Sequence, residues 1–479
     1  MLRMVRGEAL LTVNSFLLRI ASVGGLALSA GLAAGEQGLG FTAREVNPVV
    51  FYLQSDHYCS AYPNGVVRSG KARFIGDEGR VTVKEPPLVL VDGSKTAIPR
   101  AANGAGITGM WADRLSLCDV AKQQGEFYDS VWRDSIRFEA MVNYKRVFGP
   151  ALKGTVSLAP YAVDDGVVSL AMTKMLTTDT MNTLGAQNDD IMWWALAFLR
   201  AYEVNPAHKE YLVAAKQVFT RIQRTPDQAV CGGGVTWGDG TNYKNAITNA
   251  LYVVLAARLA GLSVPGSAER AMYITASVAE ANWLLDRSRL FVDGGLLQDG
   301  MHYKGGTCND APDGEVWTYS QGVAIDGLAE LTVLTGNPRY ADRAQSLLLR
   351  VLDPKQTPAL VNTEGILEEP SLRDRPAEGD VETFKGLFVR HLGYALPYLR
   401  QANAERYADA LRMGAVFLTS NANTVWKNRR MDGTRVGFAF DWADRIASST
   451  DPVDMRSTTS GLNLLSAAWS LRAYPLAVR

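Results

Sequence analysis

The chain has 479 residues, enough for one large domain or two to three ordinary ones. Its 49 basic residues match 49 acidic ones, which excludes the electrostatic footprint of a nucleic-acid binder and a polybasic membrane patch. Tryptophan (10) and tyrosine (18) are plentiful, which suits a carbohydrate cleft and equally a large core.

The first 34 residues read as a targeting segment. Arg3 and Arg6 precede an apolar stretch from about Ile20 to Ala34, where Gly31 and Ala33 offer a cleavage site. Asn14 and Arg19 interrupt the longer apolar run, so a signal peptide is expected, with an uncleaved signal-anchor as the alternative. The protein is thus expected to be secreted or at the cell surface. The lack of an Asn-x-Ser/Thr sequon weakens that reading, and the C-terminal Leu-Ala-Val-Arg gives no hydrophobic tail for a GPI anchor.

Residues 35–106 resist a helical reading. They carry Pro48, Pro63, Pro86, Pro87 and Pro99, with short β-prone runs at Arg80–Val83 and Leu88–Val91. An irregular or hairpin-bearing extension is expected here, followed by a single domain over residues 107–479.

From about Met110 the pattern becomes helix after helix. Segments near 110–124, 127–147 and 162–177 come first, then one starting at Asn188. Leu212, Ala215, Phe219 and Ile222 mark the next, and further helices are expected near 243–262, 267–288, 319–335, 338–352, 381–400, 404–425 and 459–472. Roughly twelve helices at this spacing describe an all-α chain built from helical hairpins. The hairpins share no residue-level identity, so a closed toroid suits them better than an open solenoid.

The helix at Asn188-Asp189-Asp190 has apolar residues at Ile191, Trp194, Ala195, Phe198, Leu199 and Tyr202. Asn188 or Asp189 is its natural N-cap, and the helix dipole favours ionised acids there. Two extended side chains from adjacent residues can place their carboxyl groups about 5 Å apart, the separation a retaining glycosidase needs. One acid would remain ionised as nucleophile while its neighbour, raised by the like charge, donates a proton. A doubly acidic helix start above a buried tryptophan pair is the plainer reading. A second pair, Asp164-Asp165, is followed by Gly166 rather than an aromatic helix and ranks below it.

Other stretches carry chemistry only in combination. Cys231–Trp237 is a glycine-rich loop ending in an aromatic, followed by Lys244-Asn245-Ala246-Ile247; no Gly-Lys-Ser/Thr follows, so it is not a phosphate loop. Asp293-Gly294 puts an acid on a turn, and Trp317-Thr318-Tyr319-Ser320-Gln321-Gly322 sets two aromatics and an amide at a helix start. Phe384–Arg390 opens another helix. The four cysteines, Cys59, Cys118, Cys231 and Cys308, permit disulfides without fixing a pairing, and with the four scattered histidines they give no metal signature.

In this order, Asp189-Asp190 with Trp193, the Cys231–Trp237 loop with Lys244–Ile247, Asp293-Gly294, Trp317–Gly322 and Phe384–Arg390 resemble glycoside hydrolase family 76, the endo-α-1,6-mannanases and their fungal cell-wall relatives. The resemblance covers about residues 180–400, with a weaker echo at Thr459–Leu462. It implies an (α/α)6 barrel and a retaining mechanism, with Asp189 as nucleophile and Asp190 as acid/base. It also implies a cleft of Asn188, Trp237, Asn245, Asp293, Trp317, Tyr319 and Gln321 that binds α-mannan as substrate. No cofactor or metal is expected, no nucleic-acid partner, and a monomer. The alternatives are a transglycosidase acting on mannan or a GPI glycan, and a non-catalytic carbohydrate-binding wall protein. A polysaccharide lyase or epimerase on the same toroid would need a His or Tyr base, and histidine is scarce.

Overall fold

The computed structural model describes residues 38–55, 73–75, 82–84, 131–152, 187–226, 230–238, 240–292, 295–304, 308, 311–370, 379–432, 435–444 and 455–473. The targeting segment, the helices expected near 110–124 and 162–177, Asp164-Asp165, Asp293, Cys59 and Cys118 lie outside these residues.

Among the described residues there are eleven α-helices: α1 (Ala43–Ser55), α2 (Val131–Leu152), α3 (Asn188–Val204), α4 (Lys209–Ile222), α5 (Ala246–Leu262), α6 (Ala268–Asp286), α7 (Thr318–Thr335), α8 (Pro338–Val351), α9 (Val381–Asn403), α10 (Ala408–Lys427) and α11 (Met455–Ser470). The neighbour pattern closes on itself. α2 packs on α3, α3 on α5, α5 on α7, α7 on α9, α9 on α11, and α11 back on α2. These six form an inner ring, with α1, α4, α6, α8 and α10 packed outside it, so the fold is an (α/α)6 toroid.

Burial follows this division. Every residue of α5 from Ala246 to Ala260 is buried, as is every residue of α7 from Thr318 to Thr332, because an inner helix meets protein on all sides. α3 behaves likewise, so the single apolar face read from its sequence is only part of its buried surface. The outer helices keep one stripe. On α8 it is Tyr340, Ala341, Ala344, Leu347, Leu348 and Val351.

Glycines set how closely the inner helices approach. A Cβ on Gly322 of α7 would lie 2.6 Å from Phe388 Cα of α9, and one on Gly386 would collide with Ser460 of α11. Gly322→Ala therefore forces backbones apart, and we expect a loss of about 1–3 kcal/mol of stability, measured by urea unfolding. A value within about 0.5 kcal/mol of wild type would mean the ring yields at no cost.

α1 is the element the sequence reading missed. Val46, Val49, Val50 and Leu53 form a helical stripe against α11 and α2, and Thr42 and Glu45 make a reciprocal cap, with Thr42 N donating to Glu45 Oε2 at 2.8 Å. Asn423 ties the preceding residues down, accepting from Gly40 N at 2.7 Å and donating to Gly38 O at 2.8 Å. The toroid thus recruits residues from the expected extension, where proline and glycine content obscured the pattern despite the Thr-x-x-Glu signal. In the same extension, strands β1 (Arg73–Ile75) and β2 (Thr82–Lys84) pair antiparallel; β2 overlaps the expected run at Arg80–Val83, while the run at Leu88–Val91 lies outside the described residues.

The axis of the ring is filled by buried charge. Arg258 of α5 donates to Asp326 of α7 at 2.7 Å, and His391 Nδ1 of α9 meets the same carboxylate oxygen at 2.7 Å. Arg390 donates to Glu139 of α2 at 2.9 Å and to Asn463 of α11 at 3.1 Å. Arg200 of α3 lies over the Tyr394 ring, 4.2 Å from its centroid. All six inner helices contribute to this floor. Among the described residues no helix is long and apolar enough to cross a membrane.

Candidate active site

Above the floor, α3 begins with the two acids. Trp193, one turn along α3 from them, packs on His391 of the charged axis with ring centroids 5.8 Å apart. Asn188 N donates to Trp237 O at 2.8 Å, and its Nδ2 donates to Thr236 O at 2.9 Å. Asn188 therefore binds the aromatic loop to the helix start. Asp190 Oδ2 accepts from Gln187 N at 3.3 Å, an N-terminal cap from within the first turn. Gly238 leaves room for Gln187, since a Cβ there would run into its Oε1.

Both carboxyls are raised. Burial raises Asp190 to about 7, Asp380 adds to this, and the Gln187 amide and Arg133 oppose it. Burial also lifts Asp189 well above the usual range, reinforced by the charge of Asp190. Three N–H groups favour the Asp189 anion: the Trp237 indole and the backbone amides of residues 189 and 190. Two like charges this close resist joint ionisation, so near neutral pH the pair keeps a shared proton while one carboxyl is free to ionise.

The loop carrying Trp237 is held from several sides. A Cys231–Cys308 disulfide closes it, which supplies the pairing the sequence left open. Lys244 Nζ donates to Val230 O at 2.9 Å and to Gly233 O, and Trp283 Nε1 donates to Cys231 O at 3.0 Å. Gly234 has φ of 83° and lies flat against the Trp283 ring, where a Cβ would come within 2.5 Å. Only glycine fits that approach.

Strands β3 (Tyr243–Asn245) and β4 (Gly300–His302) pair antiparallel and join the two loops beside the cleft. Here the structure brings together groups that the sequence reading passed over. Tyr243 Oη lies 2.7 Å from Asp299 Oδ2 and 2.8 Å from Asp313 Oδ2. Asp299 belongs to a second Asp-Gly pair six positions after Asp293-Gly294, a signal the sequence reading did not single out. Tyr319 is buried, feels the charges of Asp299 and Asp189, and stacks on Phe384 at 3.9 Å with rings 2° from parallel. Trp317 meets Phe384 edge-on at 5.5 Å.

Two of the expected cleft residues also hold the backbone. Gln321 is fully buried, accepting from Leu297 N at 2.9 Å and donating to Leu297 O at 2.7 Å and Trp317 O at 3.1 Å. Its amide donors are consumed, so it positions the 297 segment and the start of α7 rather than reaching a ligand. Asn245 caps α5, accepting from Thr248 N at 3.3 Å. Glu369, raised to about 7 by burial, accepts from Thr318 N at 3.2 Å and anchors α7. No cluster of three or more His, Cys, Asp or Glu residues suited to a metal ion occurs among the described residues.

The buried acids set a pH dependence for stability. Asp190 and Glu369 at about 7, with Glu280 and Glu330 raised by burial to about 8, bind more protons folded than unfolded between about pH 4 and 8. Stability therefore falls as pH rises through that window. His391, lowered by burial, acts oppositely below its ordinary value, and Glu139, held at about 2 despite burial by Arg390 and Arg258, matters only in stronger acid. Four groups outweigh one. The urea midpoint should be higher at pH 5 than at pH 8; the reverse order would show that these carboxyls are ionised in the folded protein.

Two adjacent carboxyls at an inner helix start of the toroid supply the acid and nucleophile that glycoside-cleaving chemistry uses. Family comparison matches residues 107–475 to glycosyl hydrolase family 76, and the chain belongs to that family. A Schizosaccharomyces pombe relative carrying the mannan endo-1,6-alpha-mannosidase name is 30% identical over 271 residues, 51% of this chain and 58% of the relative. The chain thus spans under two thirds of that relative's length. Mannan endo-1,6-alpha-mannosidase DFG5 of Candida albicans is 25% identical over 358 residues, 67% of this chain and 76% of the relative. Two solved structures share the fold. An inactive variant of the alpha-1,6-mannanase GH76A of Salegentibacter sp. HEL1_6, in complex with alpha-1,6-mannotetrose, superposes with TM-score 0.55 at 20% identity, covering 71% of this chain and 88% of that one. Dfg5 of Chaetomium thermophilum, in complex with glucosamine, gives TM-score 0.56 at 22% identity, covering 72% and 80%.

Proposed function

We propose that this protein is a retaining glycoside hydrolase that cleaves α-1,6-linked mannan internally. The observation that carries the proposal is the pair Asp189-Asp190 at the start of α3 against the Trp237 loop, Asp189 buried and Asp190 half-buried, with Asp190 raised to about 7. The names of the fungal relatives support the substrate, and the inactive Salegentibacter variant has two consecutive aspartates replaced.

Asp189 attacks the anomeric carbon as the bond to the leaving 6-oxygen breaks, and Asp190 gives that oxygen its proton. A glycosyl ester on Asp189 results. Water then attacks the same carbon, Asp190 takes its proton, and the sugar leaves with the starting anomeric configuration. The Trp237 indole and two backbone amides hold the Asp189 carboxylate. Trp237 and Trp317 offer aromatic faces for sugar rings, and Asp299 joins Asp293 as a candidate to read hydroxyls. Secretion or a cell-surface location is supported by the Cys231–Cys308 disulfide.

The test is a product assay on α-1,6-mannotetraose and longer α-1,6-mannan, with kcat/KM followed against pH. Shorter mannooligosaccharides should accumulate, and kcat/KM should fall above about pH 7 as the acid pair loses its proton. Binding without any change in the glycan would leave a carbohydrate-binding protein. Longer products without net hydrolysis would make it a transglycosidase.

A further inference from the structure

Three main-chain segments meet at Tyr243. Asp299 N donates to Glu315 O at 2.8 Å, Asp313 N donates to Gly300 O at 2.7 Å, and Tyr243 pairs with His302 across the ribbon. Gly300 makes the meeting possible, since a Cβ there would lie 2.5 Å from the Tyr243 hydroxyl. The phenol oxygen therefore sits between two carboxyl oxygens, 2.7 Å from Asp299 and 2.8 Å from Asp313, with His302 against its ring at 4.6 Å.

A phenol carries one hydrogen and can donate to one carboxylate only. The second contact, at the same short distance, requires a hydrogen from the other side. We infer that Asp299, Tyr243 and Asp313 share one extra proton, so that one of the two carboxyls is a neutral acid donating to the phenol while the phenol donates to the other. Asp299 is the carboxyl that carries it. Burial and the charges of Glu315 and Asp313 raise Asp299, whereas the Tyr243 hydrogen bond alone opposes them. Glu315, His302, Tyr319 and Asp189 are the titratable groups that face the trio in these contacts.

The consequence bears on the proposed reaction and rests on it. Tyr319 feels both Asp299 and Asp189, so the trio and the acid pair flank one cleft. A second anion there would raise Asp189 further and oppose its ionisation as nucleophile. The shared proton removes that charge and leaves Asp299 a fixed neutral group toward sugar hydroxyls. Tyr243 and Asp313 are positioning residues that act through Asp299.

The experiment compares full-length wild type, Asp313→Asn and Tyr243→Phe. In the substrate-free proteins at pH 7, difference infrared spectroscopy reads the carbonyl stretch of protonated carboxyl groups. Asp313→Asn should lose one such band, because an amide supplies the missing hydrogen to the phenol and Asp299 then ionises. If both aspartates are ionised in wild type, the same variant loses only a carboxylate band, and the inference is overturned. Tyr243→Phe should lower kcat/KM by about 10–100-fold and shift its acid limb, whereas an equal activity loss at every pH would mark a merely structural role and contradict the inference. Failure of wild type to alter the glycan would sink the proposed function yet leave the infrared result standing.

Discussion

Replacing Asp189 or Asp190 by asparagine should lower kcat/KM on α-1,6-mannooligosaccharides by on the order of 10³-fold or more. The two variants should then part company on a substrate that needs no protonation. With an aryl α-mannoside whose leaving group is a weakly basic phenol, Asp190→Asn should recover a substantial rate for the first step, because the departing oxygen is stable unprotonated. Asp189→Asn should not recover, since no other carboxylate replaces the nucleophile. Urea unfolding of both variants at pH 8 separates these losses from misfolding. Both carboxyls are raised by burial, so each neutral amide should leave the protein at least as stable as wild type at pH 8. Equal recovery by both variants, or by neither, would contradict the division of roles.

The second large effect is on stability and lies in the floor. Arg258 is 3% exposed, donates to Asp326 at 2.7 Å, and stands 3.7 Å from Glu330 and 4.0 Å from Glu139. Arg258→Met leaves the buried Asp326 carboxylate without its strongest partner, and a broken buried pair costs about 3–5 kcal/mol. The pair itself is worth far less than that figure suggests, because burying it is expensive. The double variant Arg258→Met, Asp326→Leu should therefore regain most of the loss in urea unfolding. A single variant within about 1 kcal/mol of wild type, or a double variant worse than the single, would show that the floor is not organised by this pair.

What could be read in advance divides along physical lines. The outer helices and α3 announced themselves through periodicity, and the acid pair through its place at a helix start. The inner helices α5 and α7 were expected as helices near 243–262 and 319–335, yet their charged members gave no hint of a common axis. Arg258, Asp326 and Arg390 are far apart in sequence and meet only because the ring closes. α1 was hidden because Pro48 and the glycines before it outweighed a cap and a stripe. Gln321 was expected to read hydroxyls because an amide at an aromatic-rich helix start can do so; the backbone of residue 297 took its donor first. Asp299 was not singled out because nothing in its local sequence shows that the β3–β4 register sets it beside Tyr243. Local propensity predicts elements, whereas the site depends on which loops the ribbon and the Cys231–Cys308 bridge draw together.

The central claim is a two-step displacement by adjacent carboxyls, and its most direct test is the anomeric form of the first product. Proton NMR during the first turnovers on α-1,6-mannotetraose reads it before mutarotation sets in. The account predicts that the new reducing end appears as the α-anomer, the configuration of the bond that was broken. A β-anomer would mean direct attack by water, and Asp189 would then be a base rather than the nucleophile.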